Sequence, residues 1–276
     1  MSKRIFFSIL FIPAIAAAIY TDLLRGFFFF LLILAVTVFT ARETCILVER
    51  IRGLPCPRYI VLVSSLAVVF SYINGFLGVN GGTILCILGC GVFLFIAGLI
   101  HGKPEGLVGI LIFEAVFIYT GVFPLFLYLT RIEENGAALV FFLLALGWFN
   151  DASAYFIGSA FGRKRGIVRS SPNKSLEGYV SSFVLTVAGA ALFGLACREV
   201  FPLGGGGRYG IVEAVLGGLL IGFAAPAGDL LESYLKRKAN VKDSGAFLPG
   251  FGGVLDIFDS ILLCAPLFYI YVKIMS

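Results

Sequence analysis

Residues 242–260 read KDSGAFLPGFGGVLDIFDS. A polar, glycine-rich break runs straight into the apolar stretch LDIFDSILL (255–263), which carries two aspartates, Asp256 and Asp259. With Asp243 upstream, this short segment holds three of the chain's six aspartates. The apolar run continues to about residue 274, the ~20 residues that a helix needs to cross a bilayer. The segment therefore reads as a loop entering a membrane helix, with acids inside the helix it opens. Composition agrees. The 276 residues are 59% hydrophobic and 13% charged, with mean hydropathy +1.01, where a soluble domain carries about 25% charged residues. These values define an all-α polytopic membrane protein and exclude a soluble enzyme. The net charge of +5 calls for no nucleic-acid partner, because Lys and Arg in short loops set membrane topology.

Working outward, hydropathy predicts about nine transmembrane helices, at 5–20, 27–41, 59–77, 83–100, 107–129, 137–158, 179–197, 211–231 and 254–274. The first two are short, consistent with tilted, shallow or re-entrant elements. The start, MSKRIFFSILFIPAIAAAIY, also has the basic, apolar and small-residue order of a signal peptide, although a first signal-anchor is the more economical reading. With nine alternating spans, 16 of the 21 Lys and Arg residues fall on the side of the N-terminus. The positive-inside tendency makes that side cytoplasmic and puts the C-terminus opposite. Residues 1–136 then form an N-terminal region of about five spans with weak motif content. Residues 137–276 form a C-terminal region of about four spans, where the chemistry concentrates.

That topology gathers scattered acids. Asp151, Asp229, Asp256 and Asp259 all fall near the cytoplasmic ends of their spans. A charge at the centre of a membrane helix costs about 2.5–3.5 kcal/mol on insertion scales, so such residues line cavities or have partners. Asp256 and Asp259, three apart, share one helix face, and Asp229, Ser233 and Lys236 share another. Carboxylates from two helices are hard ligands suited to Mg²⁺, which binds through one or two carboxylates plus substrate phosphates. The bland reading, acids at the positive end of a helix dipole, accounts for one acid in a first turn but poorly for a second one inside LDIFDSILL. The basic segments GRKRGIVRSSPNKSLEG (162–178) and KRKANVKDSG (236–245) adjoin these acids. Arg163, Lys164 and Arg165 suit anionic lipid headgroups. Lys174, Lys236, Arg237 and Lys242 are placed to meet a phosphate. Acids for a cation beside cations for phosphate imply phosphoryl or nucleotidyl transfer.

The segment SYLKRKANVKDSGAFLPGFGGVLDIFDS (233–260) resembles the signature of the phosphatidate cytidylyltransferase (CDP-diacylglycerol synthase) family, with further matches at WFNDASAYFIG (148–158), SPNKSLEG (171–178) and GDLLES (228–233). The resemblance covers about 130 residues of the C-terminal half, in the family's order. It implies a cytoplasm-facing intramembrane site that transfers the cytidylyl group of CTP to phosphatidate, giving CDP-diacylglycerol and pyrophosphate in phospholipid biosynthesis. By motif, Asp229, Asp256 and Asp259 are the metal-site acids. Lys174, Lys236, Arg237 and Lys242 contact substrate phosphates, and Asp151, Ser233 and Asp243 are further site residues. Mg²⁺, a second cation, a homodimer and, in a bacterium, the inner membrane are also implied. Two positions depart from the family pattern: Phe251 replaces the usual His of the glycine segment, and Ile257 replaces the usual Arg or Lys after the first aspartate.

Other features read as structural. The six cysteines (Cys45, Cys56, Cys86, Cys90, Cys197 and Cys264) lack metal-ligand spacing, and the single histidine, His101, excludes a histidine cluster. Glu114, mid-span, suggests an interhelical hydrogen bond, and PLGGGGRYG (202–210) an outer loop. Two alternative functions share some features. A CTP-dependent lipid kinase would move the γ-phosphate instead, and a secondary transporter would place its charges near the midplane.

Overall fold

The computed structural model describes residues 2–53, 56–79, 81–100, 106–168, 170–172, 174–197, 210–247 and 252–275. His101, Phe251 and residues 202–209 of the glycine-rich loop lie outside them. The described residues form helices α1 (Ser2–Tyr20), α2 (Phe27–Arg52), α3 (Tyr59–Leu77), α4 (Gly82–Ile100), α5 (Gly106–Phe117), α6 (Phe123–Arg131), α7 (Gly136–Phe161), α8 (Leu176–Ala196), α9 (Gly210–Lys238) and α10 (Leu255–Met275). A π-turn, Ile118–Val122, joins α5 to α6, so those two make a single run of 26 residues. Eight helices or runs are long and apolar enough to cross a membrane, and α1 adds a shorter apolar stretch, Leu10–Tyr20. The chain is an integral membrane protein.

One expectation changes. The second span is not short: α2 continues eleven residues past position 41 and ends in the left-handed Gly53. Hydropathy stopped at Ala41 because ARETC follows, yet Ala41, Glu43, Thr44 and Cys45 are all buried. Polar residues inside a helix end a hydropathy window without ending the helix.

The helices divide into two compact units, residues 1–132 with 238–257, and residues 133–237 with 258–276. In the first unit a core of Cys45, Cys56, Ile60, Val63, Ala67, Leu94, Val116, Phe117 and Val122 joins α2, α3, α4 and the α5–α6 run. Cys45 and Cys56 are free thiols whose Sγ atoms are 2.9 Å apart. Exposed Leu85, Leu88, Val92, Phe93 and Leu99 along α4 suit contact with lipid. Glu114 does not make the expected hydrogen bond through Oε1, which is buried without a partner.

The second unit packs α7, α8, α9 and the rest of α10 through small residues, the usual means of close helix approach in membranes. Gly158 of α7 meets Gly178 of α8, Gly218 of α9 meets Ala190 of α8, and Gly228 of α9 meets the α10 backbone. A β-carbon at Gly228 would lie 3.0 Å from Ser260 Cα and closer still to the Asp259 carbonyl oxygen. By contrast, one at Gly189 would meet only side chains, the nearest Leu146 Cδ2 at 3.3 Å. Gly228→Ala should therefore destabilise the protein by about 1–3 kcal/mol through overpacking against a backbone, whereas Gly189→Ala should cost less than about 1 kcal/mol. Melting in detergent checks both, and equal costs would contradict the close α9–α10 approach.

Candidate active site on the second unit

The site begins with two helices that carry charge inside apolar sequence. On α9, Asp229, Glu232, Ser233 and Lys236 recur at helical spacing, so one face bears acids and a base. Glu232 is fully buried, and its carboxylate pairs with Lys236 one turn on. The close approach at Gly228 brings the first turns of α10 against this face, and with them Asp259, which is buried. One carboxylate oxygen each from Asp229, Glu232 and Asp259 lie within 4.8 Å of one another.

Two more groups complete the cluster. Ser260 donates from its backbone N–H to Asp259 Oδ1 (2.6 Å) and from Oγ to Asp151 Oδ2 of α7 (2.7 Å). One serine thereby ties α7 to α10. Lys174 comes from the loop between α7 and α8, and its ammonium pairs with Asp229. That loop is held by its own sequence. Ser175 caps α8 by accepting from Gly178 N–H at 3.1 Å, and Glu177 accepts the backbone N–H groups of Arg163 and Lys164. Burial pushes the Lys174 ammonium below the ordinary lysine range, against the pull of Asp151 and Asp259. Trp148 packs edge-on to Phe258, with ring centroids 6.2 Å apart.

Of the residues singled out in the sequence, Asp151, Lys174, Asp229, Lys236 and Asp259 come together here. Ser233 is half-buried on the same helix, and the exposed Arg237 donates to the Ser170 carbonyl at 3.3 Å. Lys242, Asp243 and Asp256 belong to the first unit. There Lys242 and Asp243 are exposed, and Asp256 Oδ2 accepts from Ser244 N (2.9 Å), Ser244 Oγ (2.8 Å) and Gly253 N (2.7 Å). Glu232 is the residue that sequence reading missed. Its signal was its position three residues after Asp229, in GDLLES.

The donor set fits a hard cation. Its three carboxylates offer only oxygen, as Mg²⁺ prefers. Asp229 Oδ2 is the oxygen that faces the Lys174 ammonium. Asp151, Asp229, Glu232 and Asp259 against Lys174 and Lys236 leave two formal negative charges, the complement of one divalent ion.

Long apolar helices that carry a cluster of carboxylates and lysines define a polytopic membrane protein with a charged cluster among its helices. The chain belongs to the cytidylyltransferase family, whose profile matches residues 2–275. It is 34% identical over 160 residues to a phosphatidate cytidylyltransferase of Bacillus subtilis (strain 168), covering 58% of this chain and 56% of that protein. A phosphatidate cytidylyltransferase of Thermotoga maritima is 37% identical over 170 residues, 59% of each chain. One of Helicobacter pylori (strain J99) is 41% identical over 151 residues, 54% of this chain and 52% of the relative. The matched stretch thus spans just over half the length of these relatives.

Two outcomes test the cluster. In the absence of divalent ions, Lys174→Ala leaves Asp229 uncompensated and should destabilise the protein by roughly 1–3 kcal/mol, and added Mg²⁺ should restore most of the loss. Mg²⁺ should raise the melting temperature of the wild type, and Glu232→Gln should abolish that rise. A Mg²⁺ response unchanged in Glu232→Gln would remove Glu232 from the cation site.

Proposed function

We propose that this protein transfers the cytidylyl group of CTP to phosphatidate, forming CDP-diacylglycerol and releasing pyrophosphate for phospholipid synthesis. The observation that carries this reading is the Asp229–Glu232–Asp259 triplet with Lys174 and Lys236 against it, in a chain of the cytidylyltransferase family. The names of its relatives supply the substrates.

Phosphatidate brings its own anionic nucleophile. A phosphate oxygen of the lipid attacks the α-phosphorus of CTP, the bond from that phosphorus to the bridging oxygen breaks, and pyrophosphate leaves. The step consumes no protein nucleophile, so the side chains position and neutralise. Asp229, Glu232 and Asp259 would hold Mg²⁺, and Asp256, three residues before Asp259 on α10, is kept as a further metal-site acid on sequence grounds. Bound Mg²⁺ supplies charge neutralisation at the phosphates. Lys174 and Lys236, paired with carboxylates of the same cluster, would meet the substrate phosphates. Arg237 and Lys242 are kept as cationic contacts on sequence grounds. Asp151 holds Ser260 and through it the α10 turn that carries Asp259, while Ser233 and Asp243 are kept as further site residues on sequence grounds. A second cation is consistent with the additional acid, Asp256.

The distribution of Lys and Arg supports a cytoplasmic site and N-terminus with the C-terminus opposite, in the inner membrane of a bacterium. Residues 137–276 act as the catalytic region, with residues 1–136 in support. Family resemblance alone supports a homodimer.

The test uses purified protein in detergent with phosphatidate, Mg²⁺ and CTP labelled at the α- or the γ-phosphate. Label should enter lipid from α-labelled CTP only, and Asp259→Asn should reduce the rate at least 10³-fold. Label entering a lipid alcohol from γ-labelled CTP would instead make the protein a kinase, and no labelled lipid from wild-type protein would contradict the reading.

A further inference from the structure

The first unit contains a buried acid that the reaction scheme leaves unused. Glu43 sits in the middle of α2, far in sequence from every motif, and is buried. Its Oε1 accepts from Val254 N–H at 3.0 Å, and its Oε2 accepts from Leu255 N–H at 2.7 Å. These are the donors at the N-terminal end of α10, which no preceding carbonyl of the helix can satisfy. Glu43 Oε2 also lies 3.1 Å from Ser244 Oγ, and that hydroxyl is 2.8 Å from Asp256 Oδ2. Helix ends are usually capped by a residue just before the helix. Here the cap comes from more than 200 residues away.

The fit around the carboxylate is tight. A β-carbon at Gly253 would lie 2.6 Å from Glu43 Cδ, and one at Gly245 would lie 3.0 Å from the same atom. Gly252 adopts φ +94°, a conformation that favours glycine, and its position faces the Asp256 carboxylate and the Asp243 side chain. The glycines of this segment thus leave room for Glu43 and Asp256 to reach the backbone. A carboxylate buried in a membrane helix is costly. The two backbone N–H groups from which Glu43 accepts explain how it is tolerated there.

We propose that Glu43 is a positioning residue for the proposed reaction. It clamps the start of α10 and, through Ser244, sets the orientation of Asp256 and of the 242–245 segment. The assignment rests on the cytidylyl-transfer reading only for its kinetic consequence; the clamp itself can be read without substrate. It also ties the N-terminal half to the segment that opens α10.

The test compares full-length wild type, Glu43→Gln and Ser244→Ala in detergent micelles by amide hydrogen exchange, with Mg²⁺ titrations of cytidylyl transfer in parallel. Glu43→Gln keeps the volume but presents an amide NH₂ to one of the two N–H donors. Ser244→Ala removes the hydroxyl that lies between Glu43 and Asp256 and leaves the two backbone N–H contacts of Glu43 in place. The expected result for Glu43→Gln is exchange at least tenfold faster in peptides covering 253–257, with α7 and α8 unchanged. Both variants should lose at least tenfold in kcat and need several-fold more Mg²⁺ for half-maximal rate, at unchanged KM for phosphatidate. Exchange at 253–257 equal to wild type would overturn the clamp, as would faster exchange throughout the protein. Faster local exchange with wild-type kinetics and Mg²⁺ dependence would overturn the positioning role. A wild-type protein inactive on CTP and phosphatidate would count against the reaction, and the exchange data would still decide the clamp.

Discussion

Everything in the second unit follows from the cost of keeping charge inside apolar helices. Asp259 and Glu232 are buried, and a carboxylate so placed persists only with a partner. The partners available are Lys236 on the same helix as Glu232, Lys174 from the loop before α8 for Asp229, and Ser260 for both Asp259 and Asp151. Each pairing requires a particular backbone placement. The cap at Ser175 fixes the loop that delivers Lys174, and glycine at 228 lets α10 come close enough to bring Asp259 to α9. The packing is therefore subordinate to the charges, and the two lysines leave two formal negative charges over.

That residual charge connects structure to chemistry. A site for a polyanionic substrate cannot be purely acidic, because it would repel the phosphates it must bind, nor purely basic, because it would hold no cation. Alternating acids and lysines solve both requirements with groups that neutralise each other in the absence of ligand. For the proposed reaction, building the cluster on spans also places it where a lipid phosphate is available, which a soluble domain would have to extract from the bilayer.

Much of this was legible in the sequence. Nine apolar runs are enough to expect nine spans, and all nine find a helix or a helical run. Acids at Asp151, Asp229 and Asp259 stand out because charge is rare in such surroundings. What stayed hidden has physical causes. Glu232 lies among LLESYLKRK, where an acid beside bases resembles the solvated end of a helix; only its burial marks it as part of the cluster. Glu43 stands in TARETC, which ends a hydropathy run, and its role depends on a contact across more than 200 residues that no periodicity encodes. The pairing of Lys174 with Asp229 likewise depends on the loop fold, whereas the spacing of Glu232 and Lys236 follows from the helix repeat. Local regularity is readable, and long-range pairing of single polar groups is not.

The most direct test of the account is where a divalent ion binds. Crystals of the protein grown or soaked with Mn²⁺ as an anomalous scatterer would locate it without assuming any activity. The account predicts an anomalous peak within coordination distance of Asp229, Glu232 and Asp259, with the Lys174 and Lys236 ammonium groups displaced from those carboxylates. A peak elsewhere, with both lysines still on their acids at saturating Mn²⁺, would contradict it.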